Sequence, residues 1–233
     1  MYLMENILTS SELNNLSYKE AIENDKRSYC TYYKSLIITK HLLFFSFLPT
    51  LDYNSRIIKI FLFFFDFSAN FTVNAIFFND DTMHKIYIDG GKFDFIYNIP
   101  QILYSSLISG FINVLINKLA LSDSNFYKLR KLKGKNNFNA KAKETLRLLK
   151  LKFVIFFVIS LLFLIAFWFY IACFCAVYEN TQIHLIKDTV ISFGTSMLYP
   201  LGIYLLPGIF RIISLKGKNK ECLYKFRQIL QIF

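Results

Sequence analysis

The chain has 233 residues, 55% of them hydrophobic, with 27 Phe, 15 Tyr and a formal net charge of +11. A soluble domain this apolar would expose large greasy patches, so the composition argues against an ordinary soluble protein and for a bilayer. The basic excess does not point to nucleic acid: ten of the 27 Lys and Arg lie in residues 121–152, beside apolar segments, where such residues mark membrane topology.

Residues 1–34 are polar and of mixed charge, and no cleavable signal peptide is expected. Ser17 and Glu20 have capping-box spacing, which predicts a helix from Tyr18. Tyr18, Ile22, Tyr29, Tyr33 and Leu36 follow at helical spacing, opposite Glu20, Asp25, Lys26 and Arg27. This is the pattern of an amphipathic helix at the membrane surface, or of one packed on the cytoplasmic ends of the spans. Residues 36–48 are apolar but interrupted by Lys40 and His41 and closed by Pro49. Thirteen residues are too few to cross a bilayer core of about 30 Å, so they read as the inserted end of the surface helix rather than a fifth span.

The first span is expected at about 57–78. Lys59, Asp66, Asn70 and Asn74 fall within about 80° of one another at 100° per residue, one polar stripe on a helix of Ile, Leu and Phe. A charge near the bilayer centre costs several kcal/mol, so Asp66 is expected to face protein or water. An acidic loop follows, with a turn at Asp89-Gly90-Gly91; His84 among its carboxylates matches no metal-ligand spacing.

The second span is expected at about 95–119. Asn98, Gln101, Ser105, Ser109 and Asn113 line one face, and Ser106 with Gly110 would let another helix approach closely. Residues 120–152 form a basic loop whose densest part includes Lys131, Lys133 and Lys135. The loop is a solvated face with an anionic-lipid contact as the sharper alternative. Its end turns helical and runs into the third span, about 153–178, the longest uncharged stretch in the chain. The fourth span, about 189–210, has Asp188 placed to cap it and Pro200 and Pro207 placed to kink it.

Six Lys and Arg precede the first span through Arg56, ten lie between the second and third, and six follow Phe210. The two opposite loops hold three, Lys85, Lys92 and Lys187. Four spans with both termini cytoplasmic satisfy the positive-inside rule. The expected architecture is therefore all-α and polytopic: a segment 1–55 with the surface helix, a four-span domain 56–213, and a basic tail 214–233.

At DKRSYCTYY (25–33), LDYNSRIIKIFLFFF (51–65), DDTMHKIY (80–87) and AVYENTQIHLIKD (176–188) the chain resembles a recurring membrane region. That region is the C-terminal end of uncharacterised multispanning proteins of AT-rich protists. The resemblance covers nearly the whole chain, implies that it is the end of something longer, and brings no activity or binding residue with it.

Three function classes remain. A structural or assembly module would use the polar faces of spans one and two to hold helices together, with other helices or copies as partners. A channel or transporter subunit would use the same residues, Lys59, Asp66, Asn70, Asn74, Gln101, Ser105 and Ser109, as a pathway. An enzyme is the weakest reading, because no nucleophile–base pair, metal signature or phosphate-cradling loop appears. No cofactor is expected. Cys30, Cys173, Cys175 and Cys222 make no disulfide framework; Cys222 is a candidate for palmitoylation.

Overall fold

The structure is a computed structural model that describes residues 8–88, 90, 94–130, 137–216 and 220–231. The sequence reading of Lys131, Lys133 and Lys135 falls outside these residues. Among the described residues the regular structure is all helical. In chain order the helices are α1 (Ser10–Asn14), α2 (Tyr18–Asn24), α3 (Tyr29–Lys40), α4 (Leu42–Phe47), α5 (Arg56–Ile76), α6 (Asp80–Ile88), α7 (Phe95–Ala120), α8 (Asp123–Arg130), α9 (Phe138–Val177), α10 (Gln182–Ser196), α11 (Tyr199–Ile203), α12 (Leu205–Lys216) and α13 (Glu221–Leu230). Four segments, Arg56–Ile76, Ile96–Ala120, Phe138–Val177 and Glu179–Lys216, are long and apolar enough to cross a membrane. The chain is an all-α polytopic protein. It divides into two units, residues 1–59 with 121–146 and 199–233, and residues 60–120 with 147–198.

In the first unit, α2 begins at Tyr18 and the Glu20 carboxylate accepts from the Ser17 N–H at 3.1 Å and hydroxyl at 2.8 Å. The helix does not continue through Tyr29 as one amphipathic rod. Asp25 leaves helical geometry (φ −99°, ψ 84°), and Ser28 caps a second helix, accepting from the Thr31 N–H at 3.3 Å. The break has a cause in charge. Asp25 is buried, and turning out of the helix brings its carboxylate to Arg27 at 2.7 Å and Arg211 at 2.9 Å. Residues 36–48 are likewise divided, between α3 and α4, with His41 extended between them and Leu48 extended before Pro49.

The start of the long basic loop is structured. Ser122 donates through its N–H to Asn54 Oδ1 at 2.8 Å, Tyr53 N–H donates to Asp123 Oδ1 at 2.8 Å, and Arg130 pairs with the buried Glu12 at 2.9 Å. These contacts fix α8 against the segment after Pro49 and against α1. Arg130 is therefore a folding contact.

The second unit is a bundle of α5, α7, α9 and α10 in which α5 touches the other three. α5 and the residues just after it carry rings to α9: Phe61–Phe156, Phe65–Phe163, Phe71–Trp168 and, past the end of α5, Phe78–Phe174 have centroids 5.6–6.5 Å apart. Numbers rise together in these pairs, so α5 and α9 run parallel. Asn70–Ser109 and Asn74–Gln101 run in opposite senses, so α5 and α7 are antiparallel. Gln101–Asp188 and Ser105–Ser192 rise together, so α7 and α10 are parallel. Each of these four helices thus reverses the direction of the one before it in the chain. Apolar side chains such as Leu107, Phe111, Leu162 and Phe169 stay exposed on the outer faces. On helices of this length that surface is fitted to hydrocarbon.

Candidate functional site

The polar residues of α5 and α7 meet inside the second unit, and a third helix joins them. Asn74 is fully buried at the centre. Its Oδ1 accepts from Gln101 Nε2 at 2.7 Å, and its Nδ2 donates to Thr189 Oγ1 on α10 at 3.1 Å. Gln101 Nε2 also donates to Asp188 at 3.3 Å, and Asn98 Nδ2 reaches the same carboxylate at 3.4 Å. One turn further along α7, the Ser105 and Ser192 hydroxyls lie 3.4 Å apart. Asn70 Nδ2 donates to Ser109 Oγ at 3.5 Å. Together these form a ladder of amides and hydroxyls across three helices.

The ladder arises because the 100° rotation per residue places Asn70 and Asn74 on one face, four residues apart, and because α7 carries Gln101, Ser105 and Ser109 at the same four-residue step. Small side chains on α7 help. Ser105, Ser106 and Ser109 are all buried, and each hydroxyl donates back to a carbonyl three residues earlier. That leaves little bulk between the helices.

Asp188 was not legible as part of this face. The chain reaches helical geometry at Gln182, so Asp188 sits inside α10 instead of capping the span, and its carboxylate is turned to Asn98 and Gln101. The expected fourth span is also interrupted: the helix stops after Ser196 and resumes as α11 and α12, which belong to the first unit.

Asp66 and Lys59 lie apart from the ladder's hydrogen bonds. Asp66 Oδ1 is buried without a hydrogen-bond partner. Lys59 belongs to the first unit, where its ammonium meets Asp52 at 2.6 Å and Thr50 Oγ1 at 2.6 Å and lies 4.8 Å from the Phe45 ring centre. It is buried with its own counter-ion, which accounts for a lysine at the start of an apolar helix.

A second polar cluster, absent from the sequence reading, ties the first unit together. Three guanidiniums surround the buried Tyr32 ring, with Arg211, Arg27 and Arg227 4.9, 5.2 and 5.6 Å from its centre. Asp25 is the carboxylate that two of them share: Arg27 grips it through two nitrogens, at 2.7 and 2.9 Å, and Arg211 adds 2.9 Å contacts. Arg211 also donates to the backbone carbonyls of Asp25 and Arg27, Arg227 donates to the Asn14 carbonyl and the Tyr32 hydroxyl, and Gln231 donates to the same hydroxyl. Burial pushes the Asp25 carboxyl up, but the hydrogen bonds and charges of Arg27 and Arg211 outweigh it and hold it below its ordinary value. In the sequence, Arg211 and Arg227 read only as topology charges. Their signal in sequence was a lone acidic residue beside Arg27, too weak to specify a partner some 190 residues away.

The same unit shows how the proline-rich segment is accommodated. The helix breaks at Tyr204 between α11 and α12. The Tyr33 hydroxyl donates to the Leu201 carbonyl at 2.8 Å, and the Tyr29 hydroxyl donates to the Leu205 carbonyl at 3.2 Å. Neighbouring side chains thus serve carbonyls at a helix break, which a membrane environment requires. Gly208 makes the approach possible: a Cβ there would stand 2.5 Å from Tyr29 Cε2.

Chemically, the intramembrane face offers one hydrogen-bonded carboxylate, amides and hydroxyls, which suit helix association more than bond-making. Among the described residues no group of three His, Cys, Asp or Glu is placed to hold a metal ion. Comparison with family models, with curated proteins and with solved structures finds no match for this chain.

Proposed function

We propose that this chain is a structural or assembly module of a membrane, with both termini and the long basic loop in the cytoplasm. The observation that carries the reading is the state of Asn74: both ends of its buried amide are used, on two different helices. A residue that lines a pathway keeps a polar atom for the passing solute; Asn74, Gln101 and Asp188 are turned to one another. Interhelical bonds of this kind contribute about 0.6–2 kcal/mol each and are a sufficient reason for polar groups in a span. Partners follow from the surface: lipid on the apolar outer faces, further helices or copies beside them, and anionic headgroups at the loop around Lys128 and Lys141.

The test is reconstitution of the full chain in liposomes, with sodium, potassium and proton flux measured against protein-free vesicles. The structural reading expects no flux above that background, and Gln101→Ala that lowers thermal stability. Flux abolished by Gln101→Ala in a protein that stays folded would establish the channel or transporter reading instead. That second reading draws on Asp66, whose buried Oδ1 lacks a donor.

A further inference from the structure

The α5–α7 pair holds a second group of polar atoms, distinct from the satisfied ladder. Asp66 Oδ1, Asn70 Oδ1, Asn113 Oδ1 and Asn117 Oδ1 are all buried, and none has a hydrogen-bond partner. Asn70 as a whole is 1% exposed. Orphaned buried acceptors are rare, because each has lost its water without replacement. Four on two facing helices call for one explanation.

Their positions follow from the helix register. Asn74 bonds Gln101 and Asn70 bonds Ser109, so α5 and α7 run antiparallel and positions further back along α5 lie against later positions along α7. Carrying the Asn70–Ser109 pair one turn further brings Asp66 level with Asn113, on the same two faces. Asn117 lies one turn beyond Asn113. The orientation of the Asn70 amide is fixed as well. The Ser109 hydroxyl spends its proton on the Ser106 carbonyl at 3.3 Å, so it accepts from the Asn70 Nδ2 and leaves Oδ1 free.

The free atoms are therefore all oxygens, all acceptors, and carry between them one formal negative charge. A proton on Asp66 would serve a single oxygen. A hard cation coordinates several oxygens at once, and carboxylate and amide oxygens are its preferred ligands. The charge selects its valence: one positive charge makes the group neutral in hydrocarbon, whereas a divalent ion would leave an unpaired charge there. We propose that Asp66, Asn70 and Asn113, with Asn117 one turn beyond, form an intramembrane binding site for a monovalent alkali cation, sodium or potassium, that joins α5 to α7. The site stands whether or not the module conducts, since an ion held between two helices can be a fixed part of the fold.

The experiment measures thermal unfolding of the purified full chain in detergent, using chloride salts of sodium, potassium and N-methylglucamine at constant ionic strength. Equilibrium binding of radioactive sodium is measured alongside. The expected result is a midpoint that climbs by about 3–6 °C per tenfold rise in alkali cation above its Kd, as ligand linkage requires for a chain of this size. N-methylglucamine should have no such effect, and radioactive sodium, or potassium in its place, should bind at one per chain. Asp66→Asn should remain folded with a midpoint indifferent to the cation, and Asn113→Ala should behave likewise if Asp66→Asn fails to fold. Ser105→Ala, on the satisfied ladder, should lower the midpoint yet keep the cation response. A midpoint identical in all three salts with no bound ion overturns the proposal. So does a response to pH alone, which assigns a proton to Asp66, a response to divalent ions only, or an undiminished response in Asp66→Asn.

Discussion

Asp25 decides the local structure around it. A carboxylate shared by two arginines inside protein is worth breaking a helix for, and the chain breaks between α2 and α3 to deliver it. Because its folded value lies below the ordinary 3.8, the stabilisation is fully present above that value and is lost as the pH falls through the lowered one. Tryptic cleavage between α2 and α3 should therefore be slow at neutral pH, and unfolding monitored by circular dichroism should show the first unit loosening below about pH 4. An Asp25→Asn variant should lose about 3–5 kcal/mol, since Arg27 and Arg211 would lose the carboxylate they pair with inside the protein; wild-type stability in that variant would refute the role. Gly208→Ala makes a second residue-scale prediction. The added methyl meets the Tyr29 ring, so stability should fall by about 1–3 kcal/mol. Pairing it with Tyr29→Ala should give less than the sum of the two changes. Neither site could be read from sequence, because both join residues about 180 positions apart.

At the scale of elements, the sequence is informative wherever one helix decides for itself. The polar stripe on α5 follows from 100° steps, and the facing stripe on α7 from its four-residue spacing. Two failures have a shared cause in tertiary partners. The single amphipathic helix expected from Tyr18 onward gave way to a buried ion pair, and Asp188, placed as a cap by its position before Thr189, was claimed by amides on α7. The element-scale prediction concerns the ladder. Gln101→Ala removes the donor to both Asn74 Oδ1 and Asp188, and Asn74→Ala removes the bonds to Gln101 and Thr189. A double-mutant cycle on unfolding in detergent should return a coupling of about 0.6–1.7 kcal/mol. A coupling indistinguishable from zero would mean that the amides do not hold α5 to α7.

At the scale of the molecule, the alternation of helix direction in the second unit and the distribution of Lys and Arg are independent facts that agree. Ring pairs and hydrogen bonds orient α5, α7, α9 and α10 alternately; the proposed orientation draws on the charges, with six, ten and six on the side proposed as cytoplasmic and three on the other. The span count was legible because apolar length is a property of the chain alone. The interruption of the fourth segment at Ser196 and again at Tyr204 was only half legible: its prolines signal a kink, but the tyrosine hydroxyls that serve its carbonyls come from α3. The basic loop adds a prediction of its own. A peptide covering residues 125–150 should float with vesicles containing anionic lipid and be released by salt, each charge contributing up to about 1 kcal/mol. Flotation that ignores lipid charge would reduce the loop to a topology signal.

The central claim, four crossings with cytoplasmic termini, is tested most directly by labelling single introduced cysteines in intact cells with a membrane-impermeant maleimide. The four native cysteines are first replaced by serine. Cysteine at Asp81 or Asn180 should react from outside, whereas cysteine at Lys128 or Lys141 should react only after the membrane is permeabilised. Reaction at Lys128 or Lys141 in sealed cells, with Asp81 and Asn180 silent, would contradict the account.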